Sequence, residues 1–214
     1  MDSATRNAYL GAARVAVALL DRAETRGRWS ESSVLPGMTV GELAAHLCRS
    51  VLQVEWFLDA PIADGELTDA VVYYSRLQGT ADPSSPLNEG VRTRSAETAE
   101  RGYEPLLTDA TKALARLAKR LPAEPADRRV SVAHRPGEEM LLDEYLRTRC
   151  VELTVHTTDL AISVGVPDPG GNDDAVRIAV DLLTAAARQR YGDRAVLTAL
   201  TRRERDDLDA GRVL

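Results

Sequence analysis

Apolar residues recur every three or four positions through most of this chain, the period of helices that bury one face. Between Ser3 and Arg26 they fall at Leu10, Ala13, Val17 and Leu20. That spacing predicts a long amphipathic helix, broken by Gly27 and the polar run through Ser33. Leu35-Pro36-Gly37 reads as a turn. Thr39-Val40-Gly41-Glu42 then has the form of a capping box, in which Thr39 caps the second helix and Glu42 bonds back to it. This helix carries Leu43, Leu47, Val51, Val54 and Leu58 towards the core and closes at Pro61.

The pattern weakens from Ile62 to Glu89. A short helix holding Val71, Val72, Tyr73 and Leu77 is expected there, followed by a loop from Asp82 to Pro86 that would serve as a flap over a site. A third long helix is predicted from about Val91 to Leu121, kinked or broken at Pro105. Arg129 to Ala133 alternates like a strand, and Pro136-Gly137 turns it towards Met140-Leu141-Leu142, giving a marginal hairpin. A fourth helix starts near Asp143 and ends before Gly165 and Pro167. A further helix runs from Asp174 to Gln189, and a helical piece is expected between Ala195 and Arg205. Four long helices and a marginal hairpin predict an all-α fold, an up-and-down four-helix bundle with an extra C-terminal helix and a small β-hairpin.

Inside the fourth long helix, the stretch from Arg149 to Leu160 sets polar residues into an apolar segment. Glu152 and His156 stand at i and i+4, with Cβ atoms roughly 5–6 Å apart on one face. Arg149 and Asp159 share that face. Val151, Leu153, Val155, Leu160, Ala161 and Ile162 surround it, so the stripe is expected to be buried. Buried polar groups need partners. Glu152 is then either half of an ion pair, with Arg149, or a metal ligand beside His156, and the second choice satisfies both groups at once. The same spacing at Glu42 and His46 carries less weight, because the capping box already occupies Glu42.

A chain of 214 residues is long enough for one good core and too short for two ordinary domains with a linker, so one domain over 1–214 is expected, with its core at 3–190 and a short tail at 191–214. With 44% hydrophobic and 28% charged residues the chain belongs among folded globular proteins rather than disordered ones. A net charge of −6 argues against a nucleic-acid partner, although Arg202, Arg203 and Arg205 make a local basic patch. No stretch approaches the roughly 20 apolar residues of a membrane span, and the N-terminus lacks the apolar core of a signal peptide, so a cytoplasmic protein is expected. In that compartment Cys48 and Cys150 are reduced. Each lies two positions from His46 or Glu152, which turns it away from the ligand face, and both read as buried thiols.

A metal needs a third ligand, and the chain has three histidines, which leaves His46 or His134 unless the donor is acidic or a cysteine. His46 is better placed, mid-helix among Leu43, Ala44, Ala45 and Leu47, where a lone imidazole is costly. His134 ends a strand before Arg135-Pro136 and reads as surface.

The run Leu35-Pro36-Gly37-Met38-Thr39-Val40-Gly41-Glu42-Leu43 leads into Ala45-His46-Leu47. Far downstream follows Arg149-x-x-Glu152-x-x-x-His156-x-x-Asp159-Leu160-Ala161. Together these resemble the DinB-like metal-binding bundle of the mycothiol-dependent maleylpyruvate isomerase family. The resemblance extends over Asp69 to Arg76, with its Tyr73-Tyr74 pair, and over Asp143 to Arg147, and so covers most of the chain to about Pro167. It implies a four-helix bundle in which His46, Glu152 and His156 bind zinc, with mycothiol as the thiol cosubstrate. Met38 stands where the family commonly has Trp. The segment after Tyr191 is expected to be too short for the separate C-terminal domain of the maleylpyruvate isomerase itself, so the resemblance does not extend to that substrate.

Two histidines and a glutamate leave a fourth zinc position open, the pattern of catalytic zinc. A thiol accepted there would be ionised at neutral pH, able to add to an activated double bond or to displace a leaving group. The expected function is therefore a thiol-using transferase or isomerase acting on a small electrophile, as a monomer or homodimer. Arg149 and Asp159 would support the ligands or form a plain ion pair, and Tyr73, Tyr74 and Arg76 would line the mouth and bind an anionic substrate or simply pack. Two rivals remain: a metal-binding module without turnover, and a non-haem iron enzyme, whose facial triad has the same two histidines and carboxylate.

Overall fold

In the computed structural model, residues 3–61, 65–80, 82–132, 137–170 and 172–201 are described. Helix α1 (Ser3–Leu20) is followed by a short α2 (Ala23–Gly27), and α3 spans Val40–Asp59. After β1 (Glu66–Leu67) come α4 (Ala70–Ser75), α5 (Pro86–Ala99) and α6 (Tyr103–Arg120), the last ending in a 3-10 turn at Leu121–Ala123. Strands β2 (Arg129–Ser131) and β3 (Glu138–Leu141) precede α7 (Leu142–Val164), α8 (Asp173–Tyr191) and α9 (Asp193–Thr201).

Four of these helices close a ring. Helix α1 packs on α7, α7 on α3, α3 on α6, and α6 back on α1. This is the expected four-helix bundle, and its interior is filled by Leu43, Leu47, Leu106, Leu117, Leu146 and Leu153, all fully buried. Helix α8 lies outside the ring against α1 and α7, and α5 lies outside it against α3. No described helix is long and apolar enough to cross a membrane.

Two sequence-derived boundaries are corrected. The single helix expected from Ser3 to Arg26 stops at Leu20, where the Thr25 hydroxyl folds back to donate to the Leu19 carbonyl at 2.8 Å. That bond satisfies one of the carbonyls a helix end leaves open. The long helix expected over 91–121 is two helices, α5 and α6, and α5 begins earlier, at Pro86 behind a Ser85 cap. The break falls not at Pro105 but at Gly102, whose φ of 86° belongs to glycine. Pro105 sits in the first turn of α6, where a helix has no use for its missing N–H.

The hairpin forms as expected, β2 antiparallel to β3, and gains a third strand: β1 pairs parallel to β3, giving the order β1-β3-β2. Within it Glu139 is buried and held by the Arg129 guanidinium at 2.7 Å. The helical piece expected from Ala195 is α9. Arg202, Arg203 and Arg205 lie outside the described residues, as does His134.

The start of α3 sets the register of everything on that helix. Thr39 accepts from the Glu42 N–H at 3.2 Å while Glu42 accepts from the Thr39 N–H at 2.6 Å, a complete capping box. Trp29 closes over this turn so tightly that a Cβ on Gly41 would lie 2.6 Å from its ring. Thr39→Ala should cost about 1 kcal/mol, seen as a lower urea midpoint with an unchanged slope; an unchanged midpoint would show that the cap is not needed to fix the register.

Candidate metal centre

His46 lies one and a half turns into α3, and Glu152 and His156 lie mid-way along α7. Contact between these two helices brings the three side chains together. One oxygen of Glu152, Oε2, stands 3.2 Å from His46 Nε2 and 3.6 Å from His156 Nε2. The imidazole rings meet edge to face with centroids 4.6 Å apart. One donor atom from each residue falls within 4.8 Å of the others. Two donors each about 2.1 Å from one tetrahedral ion stand roughly 3.4 Å apart, so the spacing and the donor chemistry fit a zinc-like cation.

The surroundings fix which atoms face the centre. His156 Nδ1 lies 2.9 Å from Asp159 Oδ2, which places the ring proton on Nδ1 and leaves Nε2 as the donor atom towards an ion. The other oxygen of Glu152, Oε1, accepts from the Tyr74 hydroxyl at 3.1 Å. Tyr74 comes from α4 and is fully buried. Glu152 therefore turns a single oxygen towards both histidines.

The electrostatics follow from burial and these contacts. Burial raises the Glu152 carboxyl, but the His156 and His46 imidazoles and the Arg149 charge outweigh it and hold the group well below the usual carboxylate range. Burial also opposes a charge on His156, yet Asp159 and Glu152 outweigh it and raise this imidazole to about 9. His46 goes the other way, pushed below its ordinary value by burial, which Glu152 offsets only in part. Burial, and then the Glu152 charge, keeps the Tyr74 hydroxyl protonated and able to donate. Cys48 and Cys150 are both buried and free, with thiols pushed up by burial, Cys150 to about 12. Neither supplies a donor to the cluster.

The three ligand candidates and Asp159 open onto a cleft of about 870 Å³ between α3, α5 and α7, the size of a small-molecule site. Tyr73 lines it. Tyr74 does not, since its hydroxyl is spent on Glu152 and the Thr148 carbonyl. Arg76 does not line it either: this residue is half exposed and turns to Glu138 at 3.8 Å. Arg149 is at the cleft floor, and its guanidinium makes no ion pair with Glu152 or Asp159. Instead it donates to Thr148 Oγ1 at 3.1 Å, reaches Gln53 Oε1 at 3.5 Å and lies over the Tyr145 ring. Sequence reasoning missed Arg49, Gln53, Arg92 and Arg94 on the cleft wall. Arg49 and Gln53 follow His46 by one and two turns of the same helix, a spacing that marks them as neighbours of the site.

A family model described as mycothiol maleylpyruvate isomerase N-terminal domain matches residues 10–161. No curated protein and no solved structure matches the chain.

If these three residues hold a divalent ion, His46→Ala and His156→Ala should each lose it, as read by metal content after purification; near-stoichiometric metal in both variants would remove them from the ligand set. The pH dependence has a definite sign. In metal-free protein His156 holds its proton to about pH 9, and an ion must expel it, so affinity should weaken about tenfold per unit as pH falls from 9 towards 7. Calorimetry in buffers of different ionisation enthalpy would count that proton. The stability that His156 gives the metal-free fold is fully present below its unfolded value of about 6.5 and is lost as pH rises through about 9. Thermal melts across that interval should fall in metal-free protein only.

Proposed function

The chain belongs to the family of the mycothiol maleylpyruvate isomerase N-terminal domain, and from that premise we propose that it is a zinc-dependent enzyme that uses mycothiol to attack a small electrophile. The observation that carries this reading is the direction of the donor set. His46, Glu152 and His156 come from two helices on one side of the centre, and the other side faces the cleft. A donor set closed on all sides would suit a structural ion, whereas three ligands and an accessible fourth direction suit catalysis.

A zinc ion held by these residues would supply the Lewis acidity that keeps a thiol ionised at neutral pH. The protein's own groups do the rest. Asp159 holds the Nδ1 proton of His156 in place, and Tyr74 keeps Glu152 from swinging its second oxygen inward. Leu35, Met38, Leu77, Leu87 and Val155 give the cleft an apolar lining that shields the sulfur from bulk water. In S-transfer a carbon–sulfur bond forms and the leaving group departs with the electron pair. In isomerisation the same bond forms at a double bond, the adduct rotates, and the thiol is released unchanged.

Cobalt-substituted protein tests the reading. Saturating mycothiol should add an intense near-ultraviolet sulfur-to-metal band, Glu152→Ala should abolish it, and electrophile consumption should depend on both protein and thiol. No spectral change and no accelerated consumption would instead favour a metal-binding module without turnover. Iron in protein purified without added metal would favour the oxygenase-like alternative.

A further inference from the structure

Tyrosine hydroxyls that leave solvent in this fold find acceptors. Tyr9 donates to the Ser50 carbonyl at 3.4 Å, Tyr74 to Glu152 and the Thr148 carbonyl, and Tyr103 to the Leu20 carbonyl at 2.9 Å. Tyr145 is different. Only 4% of it is exposed, its ring lies 5.3 Å from that of Phe57 and 4.9 Å beneath the Arg149 guanidinium, and its hydroxyl finds no hydrogen-bond partner among the described residues. A phenylalanine would serve both ring contacts. The hydroxyl therefore needs its own explanation, because burying one without a partner is costly.

Tyr145 lines a chamber of about 20 Å³ separate from the main cleft. Gln53 reaches the chamber from α3 and Arg149 from α7, while Val132 and Met140 close it on the side of the hairpin. Gln53, Tyr73 and Arg149 line both spaces and so form the partition between them. One water needs about 10–15 Å³ of such space and two to four polar partners. The chamber thus has room for a single water and none for a substrate. Its polar groups also suit one. Burial, which Arg149 offsets only in part, keeps the Tyr145 hydroxyl protonated and able to donate. The Gln53 amide oxygen stands 3.5 Å from Arg149 Nη1, the long limit of a direct hydrogen bond, and the guanidinium commits its Nε–H to Thr148 Oγ1.

We propose that this chamber is an internal hydration site, in which one water joins the Tyr145 hydroxyl on α7 to the Gln53 amide on α3 beside the Arg149 guanidinium. The water accepts from Tyr145 and Arg149 and donates to Gln53 Oε1, so every group acts in the sense its chemistry allows. It restores part of the hydration that Arg149 gives up on burial. It also adds a polar link between α3 and α7. Gln53 follows His46 along α3, and Tyr145 precedes Glu152 along α7, each by about two helical turns. The hydrated link and the His46–Glu152 contact are thus successive rungs of one antiparallel interface. The site holds whether or not the protein uses a thiol.

Tyr145→Phe keeps the ring and removes only the hydroxyl, and the sign of its effect separates a hydrated chamber from a dry one. In a dry chamber the substitution deletes a stranded polar atom and should raise the urea midpoint or leave it unchanged. With the water in place it breaks a hydrogen bond and should lower the midpoint by roughly 0.5 M at an unchanged slope. Oxygen-17 relaxation dispersion of the solvent supplies the second readout, since it counts long-lived internal waters and does not respond to hydroxyl protons. The count should fall by one in the double variant Tyr145→Phe/Val132→Ile, which removes one partner and adds a carbon to the chamber wall. Gln53→Leu, which removes the partner on α3, gives the same count if the double variant does not fold. A midpoint that fails to fall overturns the proposal. An unchanged count overturns it too, even where the midpoint falls, because the hydroxyl would then act without a bound water.

Discussion

The Glu152 carboxylate is the constraint on which the site and much of the fold depend. It is ionised, set between three elements of the fold, and each of its oxygens has a fixed debtor: Oε2 faces the histidines of α3 and α7, and Oε1 takes the hydroxyl of α4. Removing a charge from water costs several kcal/mol unless its lone pairs are satisfied. The arrangement of α3, α4 and α7 that gives both oxygens their partners also brings two imidazoles to one point. The geometry of the centre and the packing of the three helices are thus a single requirement.

The ring of α1, α7, α3 and α6 supplies the rigidity that such a charge demands. Its interior is leucine-rich and closed, and both ends of the site are pinned locally: α3 by its capping box and by Trp29 over Gly41, α7 by a left-handed Gly165 with φ of 71° at its end. Polar chemistry is confined to one face of one interface. The remaining helices take other tasks, α8 covering α1 and α7 while α5 completes the cleft.

Much of this was legible in the sequence because it depends on local spacing. Glu152 and His156 are one turn apart whatever the fold, the Thr39 and Glu42 pair announces its own hydrogen bonds, and the alternation at Arg129 announces a strand. What escaped depends on distant partners. β1 is two exposed residues with no pattern of their own, paired by register to β3. The break at Gly102 was hidden by the louder Pro105 three residues on. The partners of Arg149, and the separation of Tyr73 in the cleft from Tyr74 beneath it and Arg76 outside it, follow from how α4 meets α7. Nothing in a single stretch of chain encodes that meeting.

Helix α5 is unlike the helices of the ring. Only Ser95 of its fourteen residues is fully buried, and it is anchored at its start by Ser85 and by Asn88, whose amide donates to the Gly79, Thr80 and Asp82 carbonyls. Substitutions along it therefore remove little apolar burial, while those facing inward alter the wall of the cleft. The stability of the bundle and the shape of the cleft wall are written on separate segments of the chain. Changes along α5 can accordingly reshape the cleft, with the His46, Glu152 and His156 cluster and the bundle beneath it kept intact.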